Sequence, residues 1–186
     1  MNSRAKGAVA EREVAAILQT WWRQIEPECL FVRAPASGGW QGPKAREAFN
    51  AAGDLMSTAQ RWPFCVEVKR RENWSMRNLA AGMPSPVWSW WRQAQKAATE
   101  VHKVPLLVFR KSREPWRVIV PERVLMRVRN HWPLQRLMDH DTGWAPVDLL
   151  RVKVGQHPAM TSLERLLLVQ PTYVECCCAD AQQVSD

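Results

Sequence analysis

From Phe64 to Lys69 apolar and polar side chains alternate, and a strand sends successive side chains to opposite faces. Phe64, Val66 and Val68 therefore face one way, and Cys65, Glu67 and Lys69 face the other. A carboxylate and an ammonium aimed together from a strand are costly unless a ligand or partner engages them. The segment thus asks for a sheet with one face in a core and chemistry on the other.

The flanking sequence supplies the layers for such a sheet. A helix is expected over Lys6 to Gln24, where Val14, Ile17, Leu18 and Trp21 recur on one helical face. Leu30 to Arg33 reads as a short strand, and Gly53 to Ser57 as another. Between them, Pro35 to Ala52 is a loop long enough to be expected functional or mobile. Arg70 to Met83 reads as a hydrophilic connector. Ser85 and Pro86 then open a second helix, with Val87, Trp91, Ala94, Ala98 and Val101 on one side. Pro105 to Phe109 and Trp116 to Val120 read as strands, and a helix is expected from Pro121 through Val128. Signals weaken beyond His131. Leu163 to Val169 suits a short helix, and the residues from Glu175 onward suit a disordered tail. This order predicts an α/β fold whose mixed central sheet of about five strands is flanked by helices, with C-terminal helical additions. The expected division is a core over 1–130, an extension packed on it over 131–174, and a tail over 175–186.

A chain of 186 residues fits one compact domain with modest additions. Its 26 Lys and Arg against 18 Asp and Glu give a net charge of +8, which favours polyanions, nucleic acid before anionic membrane. No apolar run approaches the roughly 20 residues that span a bilayer. The polar start lacks the apolar stretch of a signal peptide, so a cytoplasmic location is expected, with no membrane partner. Of five cysteines, Cys29 and Cys65 are isolated and Cys176 to Cys178 are consecutive, which is not a disulfide framework. Three adjacent cysteines are also poorly spaced for zinc, and a solvated, oxidisable tail is the simpler expectation. Most of the eleven tryptophans are expected in the core.

Asp54 precedes Glu67 across the turn-like Gln60 to Pro63. A hairpin of their two strands would set the carboxylates opposite one another, an oxygen-rich site suited to Mg²⁺. The Val68 carbonyl is close enough in sequence to add a ligand. Such a cation would hold a phosphodiester oxygen and generate hydroxide, with Lys69 stabilising transition-state charge or positioning the water. The competing reading is a salt bridge on an edge strand, because an E-x-K triplet is a loose motif. Glu11 adds weight, since it lies on the margin of the apolar stripe of the first helix and points to the interior edge. Glu13 lies further round and is expected to be solvated. Arg12 is placed to reach a phosphate or to be an ordinary helix charge.

Taken together, Lys6-Gly7-Ala8-Val9-Ala10-Glu11-Arg12-Glu13-Val14, Phe31-Val32-Arg33, Gly53-Asp54-Leu55 and Val66-Glu67-Val68-Lys69 resemble the archaeal-type Holliday junction resolvases. These belong to the PD-(D/E)XK nuclease superfamily, and the likeness runs roughly from Arg4 to Val120. By match it implies a restriction endonuclease-like fold and a catalytic Mg²⁺ site formed by Glu11, Asp54 and the Glu67–Lys69 pair, with Mn²⁺ an expected substitute. It implies that Arg12 is needed for activity, that Ser37 contributes from the loop, and that a homodimer cuts four-way DNA junctions symmetrically in a bacterial or phage-infected cell. Arg33, Arg70 and Arg71 are further candidate DNA contacts. Gln93 is another, by likeness to phage and bacterial relatives; a solvent-facing polar residue is its competing reading.

The chain departs from the family in three places. Gly53 stands where the superfamily has proline, a change expected to be chemically harmless. The loop before Asp54 is longer, and the extension after Pro121 has no counterpart, which leaves junction specificity open. Two other functions compete: a nuclease acting on duplex DNA in restriction, repair or phage DNA processing, and a non-catalytic basic nucleic-acid-binding module. Retention of Glu11, Asp54, Glu67 and Lys69 disfavours the latter.

Overall fold

The computed structural model describes residues 3–34, 53–131 and 158–183. The expected loop 35–52, with Ser37, and the segment 132–157 lie outside the described residues. Helix α1 spans Ser3–Trp22 and buries Ala10, Val14, Leu18, Trp21 and Trp22. That stripe lies against β1 (Phe31–Arg33) and β3 (Phe64–Arg70). Strand β1 pairs antiparallel with β2 (Leu55–Ser57), Phe31 opposite Ser57 and Arg33 opposite Leu55.

The larger sheet has the order β3-β4-β5-β6, with β4 at Val104–Arg110, β5 at Arg117–Pro121 and β6 at Pro158–Ser162. β3 and β4 are parallel, and β4-β5 and β5-β6 are antiparallel, so the sheet is mixed as expected. A parallel pair needs a crossover. The chain makes it through α2 (Met76–Ala80) and α3 (Pro86–Glu100), whose buried Val87, Trp91, Ala94 and Ala98 lie on the sheet. Ser85 caps α3 by accepting from the Val87 N–H at 3.4 Å. The alternation in β3 is realised: Phe64, Val66 and Val68 join the layer beneath α1, while Cys65 meets Ala98 of α3. Trp62 fills the α1 side, with its ring edge-on to those of Trp21, Trp22, Phe31 and Phe64 at 4.7–6.4 Å.

Four expectations are corrected. The strands carrying Asp54 and Glu67 do not form a hairpin. β1 takes the pairing edge of β2, the intervening chain turns inward to bury Ala59 and Trp62, and Gly53 alone bridges to Val66, in parallel. The hydrophilic connector contains α2, capped by the Ser75 hydroxyl accepting from the Asn78 N–H at 3.1 Å. The C-terminal additions are not wholly helical, because β6 extends the sheet beside β5 before the short α5 (Leu163–Leu166). The expected tail is helical over 175–183: α6 (Pro171–Gln183) packs on α4 (Glu122–Arg129) and buries Val174, Cys177 and Cys178. Cys176 is exposed. Only one of the three adjacent cysteines is therefore solvated, and burial pushes the Cys178 thiol well above its ordinary pKa. Among the described residues, no helix is long and apolar enough to cross a membrane.

Candidate active site

The backbone of Asp54 is fixed on both sides. Its N–H donates to the Val66 carbonyl at 2.8 Å, and its carbonyl accepts from the Ala34 N–H at 2.8 Å. Gly53 allows this approach, with φ at +73° and the Val66 carbonyl oxygen 2.2 Å from where a Cβ would stand. Asp54 Oδ2 then accepts from the Val68 N–H at 2.8 Å. In a strand, the N–H and C=O of one residue turn to the same edge. The Val68 carbonyl therefore shares the edge of β3 that meets Asp54.

Glu67 is 3% exposed. Its Oε1 accepts from Lys69 Nζ and, at 2.7 Å, from Gln93 Nε2 on α3. Lys69 Nζ also stands 3.9 Å from Asp54 Oδ2, so one ammonium lies between the two carboxylates. Burial is the largest cause raising the Glu67 pKa above the usual carboxylate range, followed by the negative charge of Asp54. Lys69 opposes them, and Glu11 adds a smaller upward push. Glu11 itself, on α1, accepts from Arg33 Nε across to β1.

The geometry thus gathers Asp54, Glu67, Lys69 and the edge of Val68, with Glu11 close enough for its charge to be felt. The remaining candidates are more dispersed. Arg12 is exposed, and its Nε donates back to the Ala8 carbonyl of its own helix at 3.0 Å. Arg33 is occupied by Glu11. Half-buried Arg70 donates from Nη2 to Ser112 Oγ at 3.4 Å, and Arg71 is exposed at the end of β3. Gln93, read from sequence as a DNA contact or a solvated residue, instead touches Glu67. Glu13 is expected from sequence to be solvated. It accepts from Arg110 Nη2 at 2.5 Å and from Trp116 Nε1 at 3.0 Å, so it is tied to the sheet.

Carboxylates and a backbone carbonyl are the oxygen donors that a hard divalent cation takes. The upward push on Glu67 from Asp54 and Glu11 marks an excess of negative charge, which such an ion would relieve. As they stand, no three His, Cys, Asp or Glu side chains among the described residues are gathered as a metal cluster. Lys69 instead engages Glu67 and approaches Asp54, and Glu11 is paired with Arg33 of β1.

A mixed sheet bearing Gly-Asp on one segment and Glu-Val-Lys on the neighbouring strand has the motif layout of PD-(D/E)XK nucleases. Residues 2–153 match the family described as "Phage putative PDDEXK endonuclease", and the chain belongs to that family. No curated protein matches the chain in sequence. Among solved structures, that of Hjc, a Holliday junction resolvase from Archaeoglobus fulgidus, aligns over 92% of this chain and 99% of its own. The identity is 14% and the TM-score 0.36.

Proposed function

We propose that this endonuclease is a divalent-metal-dependent enzyme that hydrolyses phosphodiester bonds in DNA, with branched and four-way junctions as its preferred substrates. The observation that carries the metal-dependent reading is the Asp54–Lys69–Glu67 group, in which Lys69 Nζ bonds Glu67 and lies 3.9 Å from Asp54 Oδ2. Asp54, Glu67, the Val68 carbonyl and Glu11 would hold Mg²⁺, or Mn²⁺ in its place. Bound there, the cation would supply Lewis acidity to a phosphate oxygen and lower the pKa of a water.

The chain's own groups do the rest. Lys69 presents its ammonium to the phosphate and stabilises the charge that develops on its oxygens. Asp54, held at Oδ2 by the Val68 N–H, keeps its charge in place without reorganising. Gln93 fixes the rotamer of Glu67. Arg33, Arg12, Arg70 and Arg71 are assigned to flanking phosphates, and Arg33 can exchange Glu11 for a phosphate once that carboxylate is otherwise engaged. The basic stretch from Arg110 to Arg117 is a further candidate for phosphate contacts, through Lys111 and Arg113, since Arg110 is bound to Glu13. Ser37, outside the described residues, is retained as a candidate contact. The preference for four-way junctions and the homodimer that would cut them symmetrically both rest on the sequence resemblance. A cytoplasmic site of action goes with that reading.

The test is cleavage of a labelled synthetic four-way junction beside a matched linear duplex, with Mg²⁺ and with EDTA. Paired symmetric nicks near the crossover, lost in EDTA, are expected. Equal cutting of both DNAs would replace the junction reading with a duplex nuclease. A gel shift without products in Mg²⁺ or Mn²⁺ would remove the hydrolytic reading. Binding is expected to weaken steeply as salt rises, because phosphate contacts release counterions.

A further inference from the structure

Glu13 makes two strong contacts that the site described above does not use. Its Oε2 accepts from Arg110 Nη2 at 2.5 Å, at the end of β4, and its Oε1 accepts from Trp116 Nε1 at 3.0 Å. The Arg110 guanidinium also lies over the Trp116 ring, 4.1 Å from its centroid. The three groups form a closed unit on the sheet side of α1.

Its place on the helix matters. With 3.6 residues per turn, Glu11 lies about 60° to one side of the buried Val14 and Glu13 about 100° to the other. Glu11 is tied to Arg33 on β1, and Glu13 to Arg110 at the end of β4 and to Trp116 just before β5. Two carboxylates on opposite flanks thus fasten one helix at both sides, which fixes its roll about its own axis. Apolar packing holds the helix from Val14 onward, through Val14, Leu18, Trp21 and Trp22, but thins out on the N-terminal side of Glu11. From Ala5 to Ala10, only Ala10 is buried, and it is a small residue.

We propose that Glu13 is a positioning residue that sets the roll of α1, and so presents the Glu11 carboxylate to the Asp54–Glu67 site. This deepens the reading of Glu11 as a metal ligand and rests on it. A roll of about 20° would carry a side-chain tip at a radius of roughly 5–6 Å through about 2 Å. Metal ligation tolerates only about 0.2 Å, so even a small roll removes the ligand.

The test is Mn²⁺ titration of the intact protein by calorimetry. Glu13→Ala is expected to weaken binding about tenfold, the usual effect of removing a group that orients a ligand. Glu13→Gln, still able to accept from Trp116, should restore part of that loss. In a Glu11→Gln background, Glu13→Ala should have no further effect, since no carboxylate remains at position 11 to misplace. Unchanged affinity in Glu13→Ala overturns the proposal. So does a loss that adds in full to that of Glu11→Gln, which is what general loosening of the fold would give. If Glu13→Ala does not fold, Arg110→Met and Trp116→Phe, each removing one donor to Glu13, carry the same comparison. Should Glu11→Gln alone leave Mn²⁺ binding intact, Glu11 is not a ligand and the proposal falls with that reading. Failure confined to the Glu13 set leaves Glu11 as a ligand and removes only the positioning role.

Discussion

Asp54 Oδ2 accepts a hydrogen bond from the backbone N–H of Val68 at 2.8 Å, so the carboxylate is anchored to the strand that carries Glu67 and Lys69. The tie is between a side chain and a main chain. It therefore survives changes in the neighbouring side chains, and it holds one oxygen while leaving the other for a ligand. A charge held this way needs no reorganisation during the reaction.

Substitutions at these positions should consequently separate binding from chemistry. Asp54→Asn keeps an acceptor for the Val68 N–H but loses the charge. Glu67→Gln keeps an acceptor for Gln93 and Lys69, and Lys69→Ala removes the ammonium. Each is expected to lower kcat at least about 100-fold, the usual scale for a transition-state electrostatic contact, while a gel shift still shows DNA binding. Normal turnover by any one of them would place the chemistry elsewhere.

Glu67 should also leave a mark on stability. Its folded pKa is raised by burial and by Asp54, with Glu11 adding to them. Between the unfolded value, roughly 4.3, and that raised value, the folded chain keeps a proton that the unfolded chain has released. Stability without metal therefore falls as pH rises through this window, and the penalty is fully present above it. Glu67→Gln has no such titration. In EDTA its Tm should pull ahead of the wild type as pH rises from about 4 toward neutrality. A difference in Tm that stays constant across that range contradicts the assignment.

Much of this site was legible because its signals are local. The alternation in Phe64–Lys69 depends only on strand geometry, and the apolar stripes of α1 and α3 only on helical spacing. What was missed depends on distant partners. Glu13 meets Arg110 and Trp116 from 97 and 103 residues away, so no local period could separate it from a solvated charge. β6, with the sequence Pro-Ala-Met-Thr-Ser, has no alternation of its own and is a strand because β5 offers an edge. The expected hairpin does not form because adjacency in sequence does not decide strand pairing, and β1 holds the edge of β2. The family motif was readable; the backbone demand at Gly53 was not.

That demand makes glycine at position 53 a requirement, not the harmless replacement of proline expected from sequence. Proline fixes φ near −65°, whereas Gly53 has φ +73°. Even alanine would set its Cβ 2.2 Å from the Val66 carbonyl oxygen. Gly82 provides the control, with φ +65° and nothing within 4 Å of an added Cβ. Gly82→Ala should cost about 1–2 kcal/mol, the backbone term alone. Gly53→Ala should cost more in denaturant unfolding and should reduce cleavage in the protein that remains folded, because Asp54 must shift. Equal costs for the two would show that the Gly53–Val66 approach is not tight.

Gln93→Ala removes the neutral donor to Glu67. With only Lys69 left to orient that carboxylate, kcat is expected to fall about tenfold, as for other groups that orient a ligand. DNA affinity in EDTA should be unchanged. A loss of affinity with kcat intact would instead make Gln93 a DNA contact.

The three adjacent cysteines report on the C-terminus. In a disordered tail Cys176, Cys177 and Cys178 would be equally accessible, and each would titrate near the ordinary thiol range. In α6, Cys176 is exposed while Cys177 and Cys178 are buried, and burial raises the Cys178 thiol far above that range. Cys65, buried against α3, is pushed up to about 12, chiefly by its burial. Alkylation follows the thiolate and its exposure, so iodoacetamide at pH 8 should modify Cys176 first and only once per folded molecule. Peptide mass mapping under native conditions reads the site directly. Comparable labelling of all three, at the rate seen in denaturant, would mean that residues 171–183 do not hold their helix against α4 in solution.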